Sequence, residues 1–184
     1  MQLGRSQCRR TPDYNTAKAR HLIDRYTDSA TVVLVDLDHC KEINDSVGHA
    51  AGDAVLAATT KRLTAWAGSR AAVGRLGGDE FAITLRTGPG RRELRLAQLV
   101  RMLAEPVDID DGPPVDVAAS VGASSPDVLG TTDMSVLQRA ADAALYEGKH
   151  SGCAVLANVR HTAMPSINGR RAGRPGTHSL GRAT

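Results

Sequence analysis

Three patterns in the sequence predict an α/β (α+β) fold whose sheet is mixed or antiparallel. Short apolar runs of strand length alternate with longer stretches in which apolar residues recur at helical spacing. Gly77-Gly78 lies between two of the short runs and predicts a hairpin, which joins antiparallel strands. Because hairpins are mixed with the helices that connect the other strands, the order differs from that of a doubly wound parallel sheet.

The first half of the chain supplies the central strand and the first hairpin. The run TVVLV at 31–35 is continuous, apolar and β-branched, as in a strand that is buried on both faces. Gly68 is a suitable stop for the helix that follows this strand. The predicted elements are a short helix around Leu22, a strand at 31–35, a polar segment at 41–49, a helix at about 50–66, and hairpin strands at 71–76 and 81–85.

The second half continues with helices and strands and ends in a segment of different composition. Its predicted elements are a helix at 91–104, a hairpin at 107–121 that turns at 111–114, a helix capped by Thr132 or Asp133, and a strand at 153–156. Residues from about 160 onward are rich in Gly, Arg, Ser, Thr and Pro, a composition typical of disorder. We therefore expect a lead-in with a short helix at 1–29, a folded domain at 30–157 and a disordered basic tail at 158–184.

Size and composition limit the class of protein. The chain has 184 residues, enough for one domain with a tail, and no apolar stretch approaches the roughly 20 residues of a membrane span. The first ten residues are polar and basic, without the apolar centre of a secretory signal. Three widely spaced cysteines, Cys8, Cys40 and Cys153, argue against a disulfide framework or a structural zinc site. We expect a cytoplasmic protein with no membrane partner.

The basic tail is the source of the positive net charge of +3. It contains no acidic residue, and its cations are Arg160, Arg170, Arg171, Arg174 and Arg182. Arginines attract nucleic-acid phosphates, but this attraction is unspecific, and the tail has no aromatic side chains on which bases could stack. We therefore favour a solubilising tail over one that binds nucleic acid.

Two pairs of acidic residues at predicted strand ends are the strongest candidates for chemistry. Asp36 and Asp38 end the buried strand, and Asp79 and Glu80 follow the Gly-Gly turn. If the two strand ends are neighbours, their carboxylates form an oxygen-rich site of the kind that holds Mg²⁺ together with substrate phosphates. The alternative for either pair alone is a set of solvated acids in turns.

Three separated motifs place these acids in a longer pattern. Residues 36–53 read DLDHCKEINDSVGHAAGD, 74–81 read GRLGGDEF, and 143–152 read AALYEGKHSG. Together they resemble the GGDEF family of diguanylate cyclases, over about residues 30–157. The resemblance implies a mainly antiparallel five-stranded sheet flanked by helices, similar to the nucleotide cyclase catalytic core. It also implies that two GTP molecules become cyclic di-GMP and two pyrophosphates, between two subunits that meet face to face.

The resemblance implies a site for Mg²⁺ or Mn²⁺, with two ions per active site. Asp36 and Asp79 match metal-ligand positions, and the carbonyl group of Leu37 is expected to help. Asp79 is also the candidate base for the 3′-hydroxyl, and Glu80 matches an acid that the family needs for turnover, also expected at the metals. Asp38 is left out of the ligand set because it lies one residue pair further into the turn.

The resemblance also implies a set of substrate-binding residues. Asn44 and Asp53 match positions that recognise guanine. An aspartate can accept hydrogen bonds from the N1–H and N2–H₂ groups of guanine, and adenine does not offer these two donors together. The other nucleotide contacts are expected from Lys41, His49, Gly77, Gly78 and Lys149. Without the family, Asn44 is a helix cap or turn residue, His49 is a surface residue, and the two lysines are solvated charges.

The sequence departs from the family pattern in three places. Cys40 stands where Phe is usual, and Cys153 stands where a phosphate-contacting Arg is common, which predicts weaker GTP binding. The product-inhibition motif RxxD is absent because its ends fall on Gly68 and Ala71, so we expect weak or no inhibition through that site. The segment 11–20, TPDYNTAKAR, matches the family's N-terminal motif poorly.

Two functions from different classes remain. One is an active, metal-dependent diguanylate cyclase that works as a homodimer, and the other is a GTP-binding regulator that has lost turnover. GTP binding without product formation would distinguish them. Only some 30 residues precede the predicted domain, which leaves no room for a sensor, so we expect a fragment, a constitutive enzyme or dependence on a separate sensor partner.

Overall fold

The computed structural model describes residues 12–110, 112–151 and 153–164. None of the helices in these ranges is long and apolar enough to cross a membrane. The elements are, in chain order, α1 (Thr16–Arg25), β1 (Ala30–Asp38), α2 (Cys40–Val47), α3 (His49–Ala67), β2 (Ala72–Gly77), β3 (Glu80–Arg86), α4 (Pro89–Leu103), β4 (Ala118–Ser124), α5 (Pro126–Leu129), α6 (Met134–Ser151), β5 (Val155–Leu156) and α7 (Val159–Thr162).

Strand β1 is the centre of the sheet, which in the described part of the chain has five strands in the order β2-β3-β1-β4-β5. The pairs β1–β3, β1–β4 and β2–β3 are antiparallel, and β5 runs parallel to β4. Every residue of β1 except its last is buried, as expected from the apolar run at 31–35. The mainly antiparallel α/β fold is therefore confirmed.

The side chains of β1 alternate between two apolar cores. Val33 and Val35 belong to one core, which β1 forms with α3 and α4. Val32 and Leu34 face the opposite side of the sheet, where α1 and α6 pack. By the same alternation Asp36 follows Leu34 on the α1 and α6 side, at the end of the strand. The sheet thus directs a candidate metal ligand toward α6.

Helix α2 replaces the polar segment predicted at 41–49. It buries one side chain of its own, Ile43, so its apolar spacing is too sparse to indicate a helix in the sequence. Gly48 separates α2 from α3 and has a φ of +106°, a backbone conformation that favours glycine. The predicted long helix is therefore α3, preceded by a second, shorter helix from which Gly48 separates it.

The hairpin predicted at 107–121 is reduced to one bridge. Val107 and Val115 exchange two backbone hydrogen bonds, of 2.9 and 2.8 Å. The strand itself, β4, begins at Ala118 and pairs with β1 over seven residue positions. Pairing with the buried central strand satisfies more backbone groups than the short hairpin could, so the strand forms there.

The end of the described chain differs from the prediction of a tail that begins at residue 158. Asn158 caps α7 in a capping box with His161, and the His161 side chain is buried. His161 Nε2 lies 3.1 Å from Glu147 Oε2 on α6. Residues 158–164 therefore pack on the folded unit. The rest of the predicted tail, at 165–184, lies outside the described residues, as does Cys8.

Candidate active site

The Gly-Gly motif forms the tight turn between β2 and β3. Gly77 pairs with Glu80, so Gly78 and Asp79 are the two residues of the turn. Gly78 has a φ of +56°, a left-handed conformation that glycine adopts without steric cost. The side chain of Arg75 braces the turn, because its Nε donates a hydrogen bond to the Gly78 carbonyl. Asp79 therefore stands at the tip of the hairpin and Glu80 begins β3.

The two acidic pairs meet at one end of the sheet. Asp36 is the direct partner of Glu80 in the register of β1 and β3. The backbone N–H of Leu37 donates a hydrogen bond of 3.1 Å to the carbonyl of Asp79. Directly opposed residues have Cβ atoms about 5 Å apart on one face, so the Asp36 and Glu80 side chains emerge side by side. The structure thus brings together the backbone positions of all four residues implied for the metal site.

Lys149, near the end of α6, reaches the same group of carboxylates. Its Nζ lies 3.1 Å from Asp36 Oδ1. Burial raises the pKa of Asp36, and the hydrogen bond and charge of Lys149 partly offset that rise. The charges of Asp79 and Asp38 raise the pKa of Asp36 further. Three carboxylates therefore act on one another at this end of the sheet, where a cation would relieve their repulsion.

Ser120 belongs to the candidate site although no motif in the sequence indicates it. It lies directly opposite Asp36 in the register of β1 and β4, and it is buried. Its hydroxyl donates to Asp38, whose two carboxylate oxygens lie 3.0 and 3.1 Å from Ser120 Oγ. The only feature of the sequence that indicates this role is that Ser120 is a hydroxyl residue within a short, mostly apolar strand. Asp38 is thereby held by β4, beside the other carboxylates.

The donor set fits a divalent cation that binds together with phosphates. In the part of the chain that the structure describes, no three His, Cys, Asp or Glu side chains are clustered closely enough to hold a metal by themselves. Mg²⁺ is commonly held by one or two carboxylates and completes its shell with water and substrate phosphates. The facing residues Asp36 and Glu80, with Asp79 on the adjoining turn, offer such hard oxygen donors.

The residues implied in guanine recognition lie where α2 meets α3. Asn44 is an interior residue of α2, not its cap, and its side chain packs against Gly52 of α3. A β-carbon at Gly52 would lie 2.0 Å from Asn44 Oδ1, so the glycine is what admits this side chain. Asp53 is exposed on the next position of α3. An amide and a carboxylate therefore come from adjacent places on the two helices.

The remaining predicted nucleotide contacts are accessible to solvent. Lys41 and His49 are exposed near the N-terminal ends of α2 and α3. A β-carbon built on Gly77 or Gly78 would meet no atom within 4 Å, so the space beside the turn is open. These positions can be reached by a ligand as large as a nucleotide.

Cys40 lies close to the carboxylates, at the first position of α2. Burial raises the pKa of its thiol to about 11, and the negative charges of Asp79 and Asp36 contribute to the rise. At neutral pH the side chain is therefore a protonated, weakly polar group where the family usually has a phenyl ring. Cys153 is exposed, and neither cysteine forms a disulfide among the described residues.

Relatives of known sequence share this chain's pattern over most of its length. The sequence model of the family described as "Diguanylate cyclase, GGDEF domain" matches residues 8–154. An uncharacterized 19.3 kDa protein of Streptomyces ambofaciens is 44% identical over 134 residues, which are 73% of this chain and 70% of that protein. Diguanylate cyclase A of Treponema denticola is 33% identical over 126 residues, which are 68% of this chain and 34% of that protein.

Solved structures share the fold. The structure of the GGDEF domain of TpbB (YfiN) from Pseudomonas aeruginosa superposes with a TM-score of 0.73 at 27% identity, and the match covers 86% of this chain and 96% of that one. This chain spans about a third of the length of the Treponema enzyme, so the likeness concerns the domain and not that whole protein. With the family match and the assembled carboxylates, these likenesses identify the chain as a member of the GGDEF family of diguanylate cyclase domains.

Proposed function

We propose that this chain is a diguanylate cyclase, which condenses two GTP molecules into cyclic di-GMP and two pyrophosphates. The observation that supports the proposal best is the register of β1 and β3, which sets Asp36 directly opposite Glu80. The Leu37–Asp79 hydrogen bond fixes the Gly-Gly turn next to this pair. Carboxylates gathered at an open sheet end are suited to phosphate transfer with bound cations, and poorly explained by packing.

The residues that would hold the cations, Mg²⁺ or Mn²⁺, are Asp36, Asp79 and Glu80, with the carbonyl of Leu37. Two bound cations would neutralise the triphosphate and stabilise the charge that develops on the attacking and leaving oxygens. Because the carboxylates repel one another, they bind such ions more readily than any one of them would alone. Lys149 is free to turn from Asp36 toward the phosphates once the cation balances the carboxylate charge.

The reaction needs one bond to form and one to break at each α-phosphorus. The 3′-oxygen of one nucleotide bonds to the α-phosphorus of the other, and the bond to the β-phosphate oxygen breaks, so that pyrophosphate leaves with the electron pair. Asp79 is proposed to take the 3′-hydroxyl proton. Asn44 and Asp53 would select guanine by donating to and accepting from its polar edge. Lys41 and Lys149 would hold the phosphates as point charges, and His49 would contact the nucleotide.

One subunit supplies one nucleotide, so we propose that the active form is a homodimer in which two such sites face each other. The control of activity would then consist in bringing two copies together, either by another part of a longer chain or by a separate sensor partner. GTP and Mg²⁺ are abundant in the cytoplasm, which is where we place the reaction.

A second candidate is a GTP-binding regulator without turnover. Two observations favour it: Asp36, a proposed metal ligand, already has a cationic partner in Lys149, and Cys153 stands where the family commonly has a phosphate-contacting arginine. Loss of one charge-assisted hydrogen bond weakens binding by about 1.5–3 kcal/mol. This weakening lowers affinity for GTP, but it leaves the carboxylates needed for the chemistry in place, so we favour the enzyme.

The test is incubation of the purified protein with GTP and Mg²⁺ at several protein concentrations, with products separated by chromatography and identified by mass. We expect cyclic di-GMP, formed at a rate that rises more steeply than the protein concentration. Glu80→Gln should lower the rate by at least about a hundredfold, because it removes a charged oxygen donor from the proposed cation site, whose charge stabilisation is worth several kcal/mol. The matched control is Glu93→Gln, which changes an exposed glutamate of α4, a helix that supplies none of the proposed site residues.

Three results separate the candidates. Product that disappears in Glu80→Gln and persists in Glu93→Gln supports the cyclase. GTP binding measured by calorimetry without any product supports the regulator. Absence of both binding and product contradicts the assignment of the site itself.

A further inference from the structure

The segment 12–14 pairs with β2, at the edge of the sheet, through an isolated bridge. Asp13 pairs in parallel with Arg75 of β2. The Arg75 N–H donates to the Pro12 carbonyl at 3.0 Å, and the Tyr14 N–H donates to the Arg75 carbonyl at 3.3 Å. Both backbone groups of Arg75 that point away from β3 are therefore paired with this segment. The pairing ends two residues before Gly77, where the candidate active-site turn begins.

Tyr14 anchors this segment across the sheet. Its hydroxyl lies 2.6 Å from Thr84 Oγ1 on β3, and burial raises the pKa of the phenol to about 12. The ring packs in the core that holds Leu34, Ala82 and Leu145. The hydroxyl pair therefore joins the lead-in segment to the strand that begins with Glu80.

Gly74 makes this close approach sterically feasible. A β-carbon at Gly74 would lie 2.3 Å from the Cα and 2.4 Å from the N of Tyr14, which is closer than any real contact of that kind. Lys18 of α1 adds a hydrogen bond of 2.6 Å from its Nζ to the carbonyl of Ala71, just before β2. The lead-in therefore holds β2 both at its start and at Arg75.

Arg75 connects the segment 12–14 to the turn between β2 and β3. Its backbone is bound to the segment 12–14, and its side-chain Nε donates to the carbonyl of Gly78. Asp79 follows Gly78, and its carbonyl accepts the Leu37 N–H. A continuous set of hydrogen bonds thus runs from Tyr14 through β2 to the turn that presents Asp79.

We propose that Tyr14 is a positioning residue, which holds the β2–β3 hairpin so that Asp79 and Glu80 face Asp36. The expected effect on catalysis rests on the proposed function. The expected effect on the hairpin's structure rests only on the hydrogen bonds described above. The proposed guanine-binding residues Asn44 and Asp53 come from α2 and α3, outside the hairpin. Loosening the hairpin should therefore lower kcat and leave the KM for GTP nearly unchanged.

The variants are Tyr14→Phe, Thr84→Val and their combination, with Tyr26→Phe as the matched control. Tyr14→Phe keeps the ring and its packing, and removes the hydroxyl that bonds to Thr84. Tyr26 packs at the edge of the core on the α1 side of the sheet, and the guanidinium groups of Arg25 and Arg86 lie over its ring. We expect each test variant to lower kcat by about threefold to tenfold, the range of one hydrogen bond, with the double variant no worse than the more affected single one.

A second measurement does not depend on activity. The amide hydrogen of Leu37 exchanges with solvent only when its bond to the Asp79 carbonyl opens, so its exchange rate, followed by NMR, reports on the turn. The buried residue Val33 on the same strand serves as the reference for overall stability. We expect Tyr14→Phe to speed exchange at Leu37 more than at Val33, and Tyr26→Phe not to do so.

The outcomes distinguish this inference from the proposed function. If the wild-type protein makes no product, the proposed function fails, and the exchange at Leu37 alone decides whether Tyr14 positions the turn. Equal acceleration at Leu37 and Val33 would overturn the inference, because it would mean a merely structural role. Selective acceleration with unchanged kcat in an active enzyme would also overturn it.

Discussion

The ammonium group of Lys149 lies 3.1 Å from Asp36 Oδ1, so one cation of the chain is already paired with a proposed metal ligand. The pair joins the end of α6 to the end of β1 across 113 residues of sequence. The two groups are thus available for opposite charges on an incoming metal–nucleotide complex: Asp36 for the metal and Lys149 for the phosphates. Nucleotide binding would replace the Lys149–Asp36 ion pair by two other charge interactions, one between Asp36 and the metal and one between Lys149 and the phosphates.

The first prediction concerns the Asp36 carboxyl in the nucleotide-free protein. Lys149→Met should raise the pKa of Asp36 above its already raised value, because the hydrogen bond and charge that lower it are lost. The measurement is a pH titration of the carboxyl carbon by NMR. Lys41→Met, which removes an exposed lysine of α2, is the control and should leave the titration of Asp36 in place. An unchanged midpoint in Lys149→Met would show that the pair does not persist in solution.

The second prediction concerns guanine selection. Gly52→Ala places a methyl group where Asn44 Oδ1 lies, so the Asn44 side chain must move away from its place against Gly52 of α3. We expect the preference for GTP over ATP, measured as a ratio of dissociation constants, to fall by about tenfold, the value of one lost hydrogen bond to the base. Alanine favours the helix by up to about 1 kcal/mol over glycine, so the variant should remain folded.

Gly90→Ala is the matched control for this substitution. Gly90 lies in α4, and a β-carbon there would meet no atom within 4 Å. This variant should bind GTP and ATP as the wild-type protein does, with at most a gain in helix stability. Equal selectivity in Gly52→Ala and Gly90→Ala would remove Asn44 from the proposed recognition of guanine.

The third prediction concerns the reactivity of Cys40. Because its thiol pKa is raised from 9.0 to about 11, the thiolate that attacks iodoacetamide forms only in strongly alkaline solution. In a Cys8→Ser, Cys153→Ser background, the rate of alkylation should keep rising toward pH 11. A rate that reaches its plateau near pH 9 would contradict the burial of this side chain beside the carboxylates.

The same shift affects stability in a defined direction. Between about pH 9 and 11 the unfolded chain has released the Cys40 proton while the folded chain still holds it. The folded state then binds more protons, so the contribution of Cys40 to the free energy of unfolding falls as the pH rises through this range. Cys40→Ser lacks this titration, and its unfolding free energy should fall less over the same range in urea titrations.

The sequence predicts the parts of the fold that have strong local signals. The run at 31–35 indicates a buried strand and Gly77-Gly78 indicates a hairpin, and both are present. Helix α2 could not be predicted in this way, because an eight-residue helix with one buried side chain has almost no apolar periodicity. The hairpin predicted at 107–121 is present only as the bridge between Val107 and Val115, and the strand β4 begins at Ala118, because pairing with β1 is decided by tertiary contacts.

Some residues of the candidate site can likewise be recognised from the sequence, and others cannot. The acids and the turn are recognisable because they are consecutive or nearly so in the sequence. Three other residues are not recognisable in the sequence: Ser120, Tyr14 and Gly74. Ser120 and Tyr14 act through hydrogen-bond partners more than 50 residues away, and Gly74 matters because it has no side chain where Tyr14 approaches closely. Such relationships depend on strand register, which a single sequence does not specify.

The last prediction concerns the seven residues that follow the predicted domain. A chain that ends after residue 157 loses α7, and with it the buried imidazole of His161 and its contact with Glu147 on α6. Glu147 is two positions before Lys149, so the loss loosens the helix end that reaches the active site. We expect the free energy of unfolding in urea to fall by about 1–3 kcal/mol relative to a chain that ends after residue 164. The chain that ends after residue 164 is the control because it keeps α7 whole, and equal midpoints for the two chains would mean that α7 adds nothing to the fold.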